Sequence, residues 1–428
     1  MASIPSAATL SKQYISEILN RTRRDLREAS ERVASSLNLD ALKLAGSMVS
    51  GCPCTGIYLT AQGGYNQIYM LTFEGYPDLI ARVNGNCPLR LAATLEFLRN
   101  NTSIPVPKVL AIETNPHNPV NARYTIQERI LGRSLGSVWP SLTSQQIETV
   151  VAQVAEFEAQ LMQTHFPAIG CLLKDVDGQF SVGRMGFPCV STYNLRGDTG
   201  PWTSSLDWIK AQLSAELIGL DDTDKWMLER ANCRFRNGDA ENTDLSQLHH
   251  YFMMLYRLLL RGVEQLSQVL HSDDCDPPSV PFVLHHDDLE IGNIMVAYDD
   301  PTRVVAIVDW EGSHVVPLWV PVTCDRLLMG SLPEGDQLRG LQELRQSIHE
   351  RLAPIADRAR RLPVYLSYLL YLASGDLSKL ENVTTMKADF RSWLAPMSEQ
   401  YVRCFDELLT FINADDQHSM IDPNSYRG

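Results

Sequence analysis

Between Gly56 and Ile130 the chain alternates short apolar runs with glycine and proline, and this pattern restricts its fold more than any other feature. GIYLT, QIYMLTF and DLIARV are separated by AQGGYN and EGYP. Short runs rich in β-branched and aromatic residues, broken by turn formers, read as an antiparallel meander. A helix is expected from about Pro88 to Asn100, and then two more strands in VPKVLAIE and RYTIQERI. Five strands with one inserted helix make a small lobe. After Gly132 the period changes. LTSQQIETVVAQVAEFEAQLMQ opens with a capping box, Thr143 and Gln146, and spaces Ile147, Val150, Val151, Val154, Phe157 and Leu161 along one helical face. The Gly- and Pro-rich region 166–203 reads as irregular. A second long helix is expected over 244–271, and the chain beyond about 335 is again helical in pattern. The reading is α+β, a β-rich lobe followed by a larger α-rich one that carries a small hairpin. It divides the chain into a helical extension over 1–55, a β-lobe over 56–130 and a helical lobe over 131–428.

Composition narrows the function classes. The net charge is −14, the opposite of the basic footprint a nucleic-acid binder needs. No apolar run approaches the ~20 residues of a membrane span, and the N-terminal stretch turns charged too soon for a signal peptide. The nine cysteines are scattered and odd in number, which reads as reduced thiols in a cytoplasmic setting. Cys52 and Cys54 in CPC lack a second pair at zinc-finger spacing.

The chemistry concentrates in FVLHHDDLEIGNIMV, Phe282 to Val296, together with RVVAIVDWEGS. Asp288 follows a strand, Asn293 starts the next, and Asp309 ends the one after. NIMVAY and RVVAIV are joined by DDPT, a turn sequence, so a hairpin brings Asn293 and Asp309 to one end of the sheet. An Asp and an Asn side by side are hard oxygen ligands suited to Mg²⁺ with phosphate oxygens completing its shell. Asp288, on the loop, is placed to accept a hydroxyl proton. Magnesium-assisted phosphoryl transfer needs that layout. A metal-hydrolase reading of His285, His286, Asp287 and Asp288 competes. Adjacent residues on an extended segment face opposite ways, however, so both histidines cannot bind one ion. His286 reads instead as a packed ring that fixes the loop.

LHHDDLEIGNIMV followed by VVAIVDWEGS resembles the aminoglycoside phosphotransferase family, which is grouped with choline kinases in the protein-kinase-like fold. The likeness is to its fungal-type branch. It extends to LTAQGGYNQIYMLTF, LIARV, LEFLRNNTSIPVPKVLAIE and IQERILGRSL, most of 56–320. The resemblance implies a bilobal fold with a small five-stranded antiparallel N-lobe and a larger, mostly helical C-lobe. It implies ATP between the lobes, Asp288 as catalytic base, and Asn293 and Asp309 as Mg²⁺ ligands. Gly63, Gly64 and Asn66 become phosphate-loop residues. Gln127, Glu128 and Ile130 fall in the lobe connector, whose backbone would meet the adenine. The alternative for that segment is an edge strand with Gln127 and Glu128 facing outward.

The chain departs from the family pattern at two positions. Arg82 stands where the third strand's phosphate-binding Lys is expected. Leu91 stands where the helix Glu that pairs with it is expected, and Glu96 lies ~140° around the helix from that face. Arg82 is therefore expected to lack its usual carboxylate. That departure keeps open a non-kinase enzyme or a small-molecule-binding protein on the same scaffold. A serine-hydrolase reading of GRSLG around Ser134 lacks the alternating βα pattern such a fold requires. The acceptor is expected to be a small molecule carrying a hydroxyl. GPWTSSLDWI, with Trp202 and Trp208, is one candidate for lining its pocket. Oligomeric state is not legible.

Overall fold

The computed structural model describes residues 37–62, 66–83, 88–186, 197–221, 260 and 282–318. The helix expected before residue 37, the glycines Gly63 and Gly64, all but position 260 of the helix over 244–271, and the helical pattern beyond 335 lie outside the described residues. The chain divides into two units: Met1–Val190 with Thr199–Pro201 and Pro281–Ile355, and Ser191–Asp198 with Trp202–Val280 and Ala356–Gly428.

The first unit begins with helix α1, Leu39–Ser50. Asn38 caps it by accepting the Ala41 amide at 3.0 Å, and Gly51 ends it in the left-handed conformation at φ 70°. The meander follows as β1 (Cys54–Gln62), β2 (Gln67–Phe73) and β3 (Leu79–Val83), then α2 (Pro88–Asn101), β4 (Val109–Glu113) and β5 (Tyr124–Glu128). Their spatial order is β1-β2-β3-β5-β4, antiparallel throughout. The five-stranded sheet with one helix therefore stands as the sequence predicts. Leu71, Leu79, Ala81, Val83 and Ile126 project from one face and pack with Leu42 of α1. Arg82 opposes Thr125 and Ile80 opposes Gln127 in the β3–β5 register, so Arg82, Thr125 and Gln127 share the other face.

β5 is not the edge strand that one reading of IQERI allows. It lies between β3 and β4, and Gln127 is buried with Nε2 donating to Thr125 Oγ1 at 3.0 Å. Helix α2 is buried on nearly every side, which its weak apolar stripe does not announce. It packs on β4, on strand β8 (Cys171–Lys174) and on the 3-10 turn Trp310–Gly312.

β6 (Arg133–Ser134) leads into a helical turn, Leu135–Val138, and then into α3 (Ser144–Gln163). The Thr143–Gln146 capping box forms as expected, and Val150, Val151, Val154 and Leu161 are buried. β7 (His165–Phe166) follows. Region 166–203 is less irregular than its composition suggests, because β8 pairs with β9 (Phe180–Gly183). Asp175 builds their turn. Its Oδ1 accepts the Asp177 and Gln179 amides, and Gly178 takes φ 84°. The remaining strands, β10 (Phe282–His285), β11 (Ile294–Val296), β12 (Val304–Ile307) and β13 (His314–Pro317), form two small sheets, β13-β10-β7 and β12-β11-β6.

In the second unit the described residues centre on α4 (Ser205–Asp221). Trp202 and Trp208 are buried, and Trp202 Nε1 donates to Asp198 at 2.9 Å. Both are core, which argues against an open pocket lined by them. Among the described residues, no helix is long and apolar enough to cross a membrane.

Gly132 joins β5 to β6 at a point with no room for a side chain. A Cβ there would lie 2.6 Å from the Val296 carbonyl oxygen of β11. Gly132→Ala is expected to destabilise the fold by about 1–3 kcal/mol, read as a lower thermal midpoint. An unchanged midpoint would show that this junction yields.

Candidate active site

The loop after β10 is tied down by its own side chains. His286 is fully buried with its ring edge-on to Trp310 at 4.4 Å, and its Nε2 lies 2.9 Å from the Val308 carbonyl. Burial pushes its pKa below the ordinary value, and the Val308 hydrogen bond and the nearby Asp309 and Asp288 charges oppose this without reversing it. His286 is thus a neutral imidazole donating to Val308. It packs and fixes the loop, as its sequence context predicts. Its neighbour His285 points the other way, toward the His314 ring at 6.3 Å. No group of three His, Cys, Asp or Glu side chains among the described residues could hold a metal ion, so the metal-hydrolase alternative has no support there.

Asp288 and Asn293 are joined directly. Asn293 Nδ2 donates to the Asp288 carbonyl at 2.8 Å and to Asp288 Oδ2 at 3.3 Å. The amide nitrogen is so engaged, and Oδ1 is the atom able to face a cation. The hairpin then carries the register to Asp309. Ile294 opposes Ile307, and the Val308 amide donates to the Asn293 carbonyl at 2.9 Å, so Asp309 emerges at the Asn293 end. The turn at the far end is set by Asp300, whose Oδ1 accepts the Thr302 amide at 2.9 Å and hydroxyl at 2.7 Å.

Asp309 has left-handed backbone dihedrals, φ 68° and ψ 45°. For a side-chain-bearing residue this costs on the order of 1 kcal/mol, and Asp tolerates it better than most. The strain turns the chain into the 3-10 turn. Trp310 anchors that turn by burial and by an Nε1 hydrogen bond to the Ile307 carbonyl at 2.9 Å.

Arg82 reaches this rim from β3. Its Nη2 donates to Asp309 Oδ1 at 2.7 Å and lies 3.1 Å from Glu311 Oε1, which also accepts from Nε at 3.3 Å. Glu311 Oε2 accepts from Asn66 Nδ2 at 2.8 Å. Burial works against the guanidinium's charge, but Glu311 and then Asp309 outweigh it and hold its pKa above the ordinary value. Arg82, Asn66, Asp309 and Glu311 are thereby joined in one network, although the first two lie more than two hundred residues before the others, while Asn293 and Asp288 form a second bonded pair at the end of the hairpin from which Asp309 emerges.

The expectation that helix α2 offers Arg82 no carboxylate stands. Leu91 is buried and apolar, and Glu96 pairs with Lys174. Glu311 was absent from the sequence expectations, although DWEGS displays it. Its side chain meets Arg82 only once β3 and the 3-10 turn are docked. In the connector, Glu128 accepts the Lys108 amide at 2.9 Å and pairs with Arg99 at 3.4 Å. With the Gln127 side chain bonded inside the sheet and that of Glu128 engaged with Lys108 and Arg99, it is the backbone from Gln127 to Ile130 that could serve an adenine. Ser134 Oγ is committed to the Gly136 amide and to the Ile291 and Gly292 carbonyls, and it knits the connector to the loop after β10. Cys54 Sγ donates to the Gly56 carbonyl at 3.2 Å.

The oxygen donors of Asn293 and Asp309 suit a small hard cation, and Asp309 is 43% exposed and accessible to one. These residues fit Mg²⁺.

Comparison with known proteins gives a family match, two relatives and a solved structure. The family model described as Phosphotransferase enzyme family matches residues 88–322, more than half of the chain. A subtelomeric hrmA-associated cluster protein of Aspergillus fumigatus is 27% identical over 344 residues, 68% of this chain and 66% of that protein. Altered inheritance of mitochondria protein 9 of Eremothecium gossypii is 31% identical over 267 residues, 53% of this chain and 41% of that protein. The chain thus spans just under two-thirds of the first relative and less than half of the second. Among solved structures, a thermostable aminoglycoside phosphotransferase APH(4)-Ia with ADP and hygromycin B has a TM-score of 0.45 at 14% identity, covering 87% of this chain and 98% of that one. A likeness of that degree settles neither activity nor substrate.

Because His286 binds its proton less readily in the folded state, the folded state loses ground as pH falls through about 6.5, the value for an unfolded His. Its contribution is fully present above that pH and declines toward the depressed folded pKa. Wild type is expected to lose thermal stability between pH 7 and 5 more steeply than His286→Asn. Parallel pH curves would contradict a neutral buried ring.

Proposed function

The chain belongs to the phosphotransferase enzyme family, and we propose that it transfers the γ-phosphoryl group of ATP to a hydroxyl of a small molecule. One observation carries the reading. Asn293 holds Asp288 while the β11–β12 register sets Asp309 beside Asn293, and Arg82 arrives at the same rim. A base, two oxygen ligands and a phosphate-binding cation are what phosphoryl transfer requires of a protein.

Asp288 takes up the acceptor's proton as its oxygen attacks the γ-phosphorus, and the Asn293 amide keeps that carboxylate oriented for the transfer. Arg82 offsets charge on the α- and β-phosphates through its planar fork. Asn293 Oδ1 and the Asp309 carboxylate would hold Mg²⁺, which supplies neutralisation of the phosphate oxygens. Gly63, Gly64 and Asn66 cover the phosphates, and backbone at Gln127, Glu128 and Ile130 receives the adenine. In this reading residues 56–130 form the nucleotide lobe, 131–428 carry the catalytic loop and acceptor site, and 1–55 are an extension.

We infer a hydroxylated small molecule as the acceptor, secondary metabolites included. The compartment is inferred to be cytoplasmic from the cysteine usage. The described thiols at Cys52 and Cys54 are free. The mitochondrial names belong to relatives that this chain matches over less than half their length. A protein that binds a small molecule without phosphorylating it was suggested by the missing helix carboxylate, and the Arg82–Glu311 pair weakens that ground.

Asp288→Asn is expected to lower turnover at least a thousandfold while Mg²⁺·ATP binding stays within about twofold of wild type, measured by calorimetry and phosphate-transfer assay. Full activity in that variant would remove the base assignment. Asp309→Ala is expected to abolish the Mg²⁺ dependence of nucleotide binding. An unchanged metal requirement would count against its role.

A further inference from the structure

We propose that Glu311 is a positioning residue that replaces the missing helix carboxylate, holding Arg82 and Asn66 toward the nucleotide's phosphates while Asp309 is left for the metal. The proposal rests on the phosphotransferase reading and adds a residue and a division of labour to it.

The two carboxylates around Arg82 are not equivalent. Glu311 is 8% exposed and uses both oxygens, Oε1 for two guanidinium nitrogens and Oε2 for Asn66. Asp309 is 43% exposed and engages only Nη2 of that guanidinium. A cation entering this rim competes for the accessible carboxylate, so Asp309 is the partner that Arg82 can lose. Glu311 is the partner that stays. It bonds both Arg82 of β3 and Asn66, and so couples the two side chains proposed to meet the phosphates through one charge.

Its own placement is fixed from behind. Trp310 is buried against His286, and the 3-10 turn packs on α2. On that helix Leu91 fills the position where a carboxylate would otherwise face the strand, and Glu96 is directed to Lys174. The exchange of Lys for Arg fits the same arrangement. A guanidinium offers separate N–H groups to two carboxylates and a phosphate, whereas an ammonium is a point charge.

The test is calorimetric titration of the full chain with a non-hydrolysable ATP analogue at several Mg²⁺ concentrations. Glu311→Gln is expected to weaken binding about tenfold, with the Mg²⁺ concentration for half-maximal binding unchanged. Its thermal midpoint should stay within about 3 °C of wild type. Combined with Arg82→Gln, it should add almost no further loss, since both substitutions break one unit. Glu311→Asp, which keeps the charge, should recover part of the affinity. Undiminished binding in Glu311→Gln, losses that add to those of Arg82→Gln, or weakening that merely follows thermal midpoint in both Glu311 variants would overturn the proposal. A wild-type protein that binds no nucleotide would instead remove the phosphotransferase reading on which it stands.

Discussion

The arrangement depends on one ionic junction, the guanidinium of Arg82 held between Asp309 and Glu311. It fastens the third strand of the β-sheet to the end of the β11–β12 hairpin. A buried arginine without partners is costly, so the fold is consistent only where both carboxylates arrive. Their arrival is the work of backbone features that carry no charge: a left-handed residue at Asp309, a buried tryptophan after it, and a hairpin whose register is set by an aspartate turn. The chemistry of the site is thus built on packing that is remote from it.

The side chains around this junction also differ in exposure. His286 lies deepest, uncharged, and spends its ring on Val308 and Trp310. Asn293 turns its amide nitrogen to Asp288, and its oxygen is the atom proposed to meet the metal. Asp309, with its side chain 43% exposed, and the part-buried Asp288 are the acids whose proposed roles require them to meet something from outside. Glu311 is an acid with its side chain only 8% exposed, which its two partners make tolerable.

Much of this could be read beforehand, because it lies in local pattern. The five strands and α2 are short runs of alternating or β-branched residues between Gly and Pro, and the α3 capping box is a four-residue signal. The β11–β12 hairpin, with Asn293 and Asp309 at one end of it, followed from a turn sequence and a strand period. What escaped were properties of docked neighbours. β5 reads like an edge strand until β3 and β4 flank it, and its Gln127 is polar but buried. The β8–β9 hairpin was hidden by glycines, although its Asp-x-x-Gly turn is visible at Asp175. Glu311 looked like one more polar residue in a turn, since nothing local ties it to a strand far earlier in the chain.

The central claim is that this rim grips a metal–nucleotide complex through these side chains. A crystal structure with Mg²⁺ and a non-hydrolysable ATP analogue tests it most directly. The account predicts a metal about 2.0–2.1 Å from Asn293 Oδ1 and an Asp309 oxygen, with Arg82 released from Asp309 onto phosphate and still bound to Glu311. A nucleotide seated elsewhere, or one bound while Arg82 remains locked to Asp309 and no metal contacts Asn293, would contradict it.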